Sequence, residues 1–211
     1  TRANSGLGNM VSAFEYLNDT SLQIVLDNIE DAANPLAGRY PAYVLIEITS
    51  LSDDDTARDA LEAILGLALE DEVIVDAVVA QSEAQCVALW GLREGVPEAQ
   101  RHEGTGSIKH DVSVPVSRVS EFLREANKRV HQQMPAARIC AFGHMGDGNI
   151  HYNVNQPFEM DKDVFLDQWD IFKKIVHDLV NDMDGSVSAE HGIGLLKRED
   201  MATYKNPVAL D

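Results

Sequence analysis

The sequence predicts an α+β fold, a largely antiparallel sheet covered by helices. Three features of the 211 residues point there. Segments 137–142 and 150–155 are strand-like runs flanking Gly146-Asp147-Gly148-Asn149, residues that accept left-handed backbone and so favour a hairpin. Segment 161–183 sets Phe165, Trp169, Phe172, Val176, Leu179 and Val180 in one apolar stripe, which needs a layer to lie on. The succession of helix, strand, helix, strand, helix, strand, helix, hairpin, long helix and short helix suits segregated layers better than a strictly parallel sheet.

Taken in order, residues 9–17 have helical apolar spacing (Met10, Val11, Phe14, Leu17), and 21–28 form a weaker apolar segment. Pro41 punctuates before a strand at 43–49, rich in Val, Leu and Ile. An amphipathic helix follows at 53–70, its acidic start opposing the helix dipole favourably. Residues 73–80 read as a second strand and 83–92 as a helix running on toward Pro97. A third strand at 109–114 stops at Pro115, and Ser117 caps a helix to about Gln133 with Glu121 inside it. Gly185 ends the long helix as a left-handed cap.

Composition narrows the function classes. Hydrophobic content of 45% and charged content of 25% suit a soluble globular chain, long enough to bury a core. A net charge of -18 argues against nucleic-acid and anionic-membrane partners, which need basic surfaces. An anionic substrate must then be drawn in by a local group of cations. No apolar run is long enough to span a bilayer. Cys86 and Cys140 read as reduced core residues of a cytosolic or mitochondrial-matrix protein. The first residue, Thr1, is no initiator, and the last residues close no element, so the chain reads as a piece of a longer protein.

The hairpin carries the chemistry. His144 and His151 flank its turn and come together at one sheet end, and alternation puts His151, Asn153 and Asn155 on one face. A second segment, Ser188-Ala189-Glu190-His191-Gly192-Ile193-Gly194, sets a carboxylate beside an imidazole and two glycines. If it meets the hairpin, Glu190 completes a two-histidine, one-carboxylate set that suits zinc or another divalent metal with an open position. His191 is then left as a base. Alternatively, His144 and His151 are simply half-exposed hairpin residues. Arg93, near a helix end, and Lys109, at a strand start, offer a fork and a point charge for a carboxylate, or pair with Glu94 and Asp111.

Four segments resemble the C-terminal substrate (cap) domain of FAD-linked 2-hydroxyacid dehydrogenases of the vanillyl-alcohol oxidase superfamily. They are Leu89-Trp90-Gly91-Leu92-Arg93-Glu94, Lys109-His110-Asp111-Val112-Ser113-Val114-Pro115, Gly143 to His151, and Ser188 to Gly194. The resemblance implies a C-terminal substrate-binding domain fragment over 1–211 with ferredoxin-like elements, lacking the upstream FAD-binding domain and a final segment. It implies that His144, His151 and Glu190 bind a divalent metal, often zinc, and that His191 is the general base. Arg93 and Lys109 would grip the substrate carboxylate, and Asn153 would orient it. The reaction implied is oxidation of a D-2-hydroxy acid, such as D-lactate, glycolate or D-2-hydroxyglutarate, to a 2-oxo acid by hydride transfer to FAD. Pro97 stands where hydroxyglutarate-selective members tend to carry threonine, which leaves the acid open. The electron acceptor is likewise open, and a homodimer is among the assemblies allowed. Two other classes remain: a metal hydrolase, which needs no flavin, and a non-catalytic module, which takes up no metal.

Overall fold

The computed structural model describes residues 7–50 and 56–190, arranged in two compact units, Thr1–His102 and Glu103–Asp211. Within each, all strand pairing is antiparallel and helices accompany the strands, the expected α+β architecture.

In the first unit, strand β1 (Val11–Asn18) pairs with β2 (Ala42–Ile48), with an irregularity between Val11 and Ala13. The spacing of Met10, Val11, Phe14 and Leu17 suggested a helix here, and the structure corrects it. The strand's inward positions include Glu15 as well as Leu17, at 2% and 4% exposure, so a charged residue interrupts the apolar alternation. Helix α1 (Asp19–Asn28) starts where the Asn18 side chain accepts the Ser21 N–H at 3.0 Å, and buries Leu22, Ile24 and Val25. Helix α2 spans Thr56–Glu70, its expected first residues lying outside the described ones.

Residues 73–80 form no strand. Val73 and Ile74 turn their N–H groups back to Ala68 O, and the Asp76 carboxylate accepts from Ala37 N–H and Tyr40 O–H. With the first amides spent on a helix end and Val73 and Val75 exposed, this apolar run has no ladder to join. Ser82 caps α3 (Glu83–Glu94), and α4 (Val96–Glu103) follows directly. Cys86 is exposed on α3, contrary to the expected core position, whereas Cys140 is buried.

The second unit has the order β3 (Ser107–Ser113), α5 (Val119–Gln133), β4 (Arg138–His144), β5 (Asn149–Asn155), α6 (Lys162–Leu166), α7 (Trp169–Asp182). Strand β5 lies between β3 and β4. Alternation divides this sheet. One face carries Ile108, Val112, Ile139, Ala141, Ile150, Tyr152 and Val154, all at most 5% exposed. Phe122 of α5 meets Tyr152 edge-on at 5.7 Å, and the Tyr152 hydroxyl donates to Asn127 Oδ1 at 2.9 Å. On α7, His177 meets His110 of β3 at 5.8 Å between ring centroids, and Phe172 and Val176 are fully buried. The helices thus cover one face, and Asp111, His151 and Asn153 lie on the other.

Two helix expectations change. Ser117 sits in a 3-10 turn rather than capping α5, whose first turn is instead tied by Arg118 to Glu121. The long helix is interrupted at Asp167–Gln168, with Phe165 and Phe172 still buried and Trp169 turned 41% outward. No proline or glycine marks the break. The left-handed residue after α7 is Asp184, at φ +57°, not Gly185. Gly185 matters for closeness: a Cβ there would lie 2.3 Å from Ser113 O, inside any permitted contact.

Candidate functional site

The tight hairpin between β4 and β5 is set by its turn. Gly148 donates its N–H to His144 O, Asn149 N–H donates to Asp147 Oδ1, and Gly148 O accepts from Val114 N–H. Gly148 has φ +84°, and a Cβ there would sit 2.0 Å from Val114 O, so only glycine fits. Register then places Phe142 opposite His151 and Cys140 opposite Asn153 across the hairpin. His144, two positions beyond Phe142, falls on that same face. On the other side of β5, Asp111 is opposite His151 and Lys109 is opposite Asn153.

A distant segment completes the group. Ser113 and Ser186 exchange both main-chain hydrogen bonds, at 2.9 and 2.8 Å, so the chain after α7 runs alongside β3. It brings Glu190 to the hairpin: Glu190 Oε1 lies 3.1 Å from His144 Nε2, and Oε2 lies 3.7 Å from His151 Nε2. One ligand atom from each of His144, His151 and Glu190 falls within 4.8 Å of the others. A pair as exposed as His144 and Glu190, with side chains at 40% and 43%, stabilises a fold by at most about 1 kcal/mol. Two nitrogens and one oxygen from these three side chains are a donor set that fits zinc or a similar divalent ion.

Neighbouring groups on that face suit an anionic ligand. Lys109 is exposed and makes no ion pair among the described residues. Asn153, opposite it, is 3% exposed. The Phe142 ring lies 5.0 Å from the His151 ring and backs the imidazole with an apolar surface. Arg93 belongs to the first unit, where its Nε donates to Glu15 Oε2 at 2.8 Å, both side chains buried. Its partner is thus Glu15, not the adjacent Glu94, and Lys109 does not pair with Asp111. His191 lies outside the described residues.

Asp111 is the site residue that sequence reasoning passed over as a salt-bridge partner. It is 5% exposed, its Oδ2 accepts the Glu190 N–H at 2.9 Å, and its main-chain oxygen accepts from Ala189. Period-two spacing from Lys109 puts it on the site face, but only strand register sets it against His151.

Residues 3–211 match the family described as FAD linked oxidases, C-terminal domain. The chain is 34% identical over 205 residues to the mitochondrial D-2-hydroxyglutarate dehydrogenase of Arabidopsis thaliana, covering 97% of this chain and 35% of that protein. It is 36% identical over 201 residues to D-2-hydroxyglutarate dehydrogenase of Stutzerimonas stutzeri, covering 95% and 42% respectively. It is also similar to the D-2-hydroxyglutarate–pyruvate transhydrogenase of Saccharomyces cerevisiae, 32% identical over 204 residues, 93% of this chain and 40% of that one. The chain therefore spans 35% to 42% of the lengths of these relatives. With the match running over nearly all of its residues, the chain belongs to the C-terminal domain family of the FAD linked oxidases.

Proposed function

We propose that this chain is the substrate- and metal-binding part of a FAD-dependent dehydrogenase that oxidises a D-2-hydroxy acid to a 2-oxo acid. The observation that carries the reading is the meeting of His144, His151 and Glu190 within 4.8 Å, on the sheet face that also bears Lys109 and Asn153. Family membership and the names of the dehydrogenases it resembles support the reaction class.

A divalent metal at this site, with zinc the best suited, supplies Lewis acidity toward the substrate hydroxyl, and the flavin supplies the two-electron acceptor. His144 and His151 would hold the ion through imidazole nitrogens and Glu190 through its carboxylate, and the ion would lower the pKa of a bound hydroxyl. Lys109 neutralises the substrate carboxylate and the Asn153 amide orients it, because the register holds the two side by side. His191, next to Glu190 in sequence, takes the hydroxyl proton as the C2 hydrogen departs. The resemblance assigns Arg93 a second contact to the carboxylate, for which a guanidinium fork is suited.

The test is anaerobic mixing of the flavin-loaded protein with a panel of D-2-hydroxy acids. Bleaching of the flavin by at least one acid, abolished in His191→Ala, is the expected result. A flavin that no acid reduces, with metal and flavin both bound, overturns the proposal.

A further inference from the structure

We propose that Asp111 is a positioning residue for the metal centre: it sets the ring state of His151 and the placement of Glu190 at once. The inference rests on the metal-binding reading above and extends it to a residue that touches no ligand position itself. Asp111 stands on β3 opposite His151 in register, so a single buried carboxylate faces two different elements of the site.

One oxygen acts on the loop. Asp111 Oδ2 accepts the Glu190 N–H at 2.9 Å, and the Asp111 main-chain oxygen accepts the Ala189 N–H at 3.3 Å. Two positions further along β3, Ser113 exchanges paired hydrogen bonds with Ser186. Segment 186–190 is thereby fastened at both ends, and its second fastening lies on the very residue whose side chain reaches His144 and His151. Hydrogen bonds to a charged acceptor are stronger than those between neutral groups, and the buried Val187 side chain adds an apolar anchor to the same segment.

The other oxygen acts on the imidazole. Asp111 Oδ1 lies 3.8 Å from His151 Nδ1, while His151 Nε2 points to Glu190. That separation is longer than a hydrogen bond, but a buried negative charge on the Nδ1 side favours the tautomer carrying its proton there. Nε2 is then left as the lone-pair nitrogen, the form a metal ligand needs. Removing such a supporting group typically weakens metal binding about 10–100-fold.

Zinc affinity is measured by competition with a chromophoric chelator for wild type, Asp111→Asn and Asp111→Ala, with folding checked by circular dichroism. Asn keeps the volume and one acceptor for Glu190 N–H but removes the charge. A loss of about 10–100-fold in either folded variant is expected. In parallel, 15N resonances of the wild-type His151 ring should report the Nδ1–H tautomer, a readout indifferent to loop packing. Wild-type affinity in a folded variant, or an Nε2–H tautomer in the wild type, overturns the proposal. A wild-type protein that binds no zinc overturns the underlying metal reading instead, so the two failures are distinguishable.

Discussion

His144 Nε2 and Glu190 Oε1 lie 3.1 Å apart, although one belongs to a hairpin strand and the other to the segment following the last described helix. The contact follows from two backbone facts: the Gly148 turn and the Ser113–Ser186 exchange. Because the pair is largely exposed, it adds little to stability by itself. In the proposed metal site these two side chains are two of the three ligands.

Ligand deletion should therefore separate stability from metal response. If the site binds zinc, the metal at 100 times its dissociation constant should stabilise the wild type by about 2.7 kcal/mol. His144→Ala and Glu190→Gln should fold with near wild-type midpoints in chelator and lose that zinc-dependent gain. Denaturant melts with and without zinc read it.

Gly185→Ala should loosen the site from a distance. The added Cβ would lie 2.3 Å from Ser113 O and 2.8 Å from Val180 Cγ1, so the segment must move off β3. The expected destabilisation is about 1–3 kcal/mol, with zinc affinity falling alongside it. Unchanged affinity with an intact fold would show that the Ser113–Ser186 exchange does not place Glu190.

The two aromatic residues flanking the first turn of α7 should differ sharply. Phe172 is fully buried, so Phe172→Ala should cost about 3–5 kcal/mol in chemical denaturation. Trp169, 41% exposed, should give a clearly smaller loss on replacement by alanine.

Alkaline stability should carry a signature of Tyr16, whose phenol is pushed up to about 12 by burial. An unfolded tyrosine ionises near pH 10, so above that pH the unfolded chain gives up its proton first. The stabilisation from the neutral buried phenol is complete below pH 10 and is lost as pH rises through about 12. Urea midpoints should fall between about pH 10 and 12, with a smaller fall in Tyr16→Phe.

Much of this was legible from sequence. The hairpin turn, the strands on either side and the polar face of His151 and Asn153 follow from glycine chemistry and alternation alone. What failed did so where tertiary context overrides local pattern. Glu15 breaks the alternation of β1 because its partner, Arg93, comes from a later helix. Residues 73–80 have strand composition but no ladder to join. Nothing local marks the pause at Asp167–Gln168. Asp111 stayed hidden because its role depends on the register of β3 against β5, which no single strand announces.

Cobalt substitution tests the central claim most directly. Co(II) bound by two imidazoles and a carboxylate should give visible d–d bands at one ion per chain, absent in His151→Ala. Full cobalt binding with unchanged bands in His144→Ala, His151→Ala and Glu190→Gln alike would contradict it.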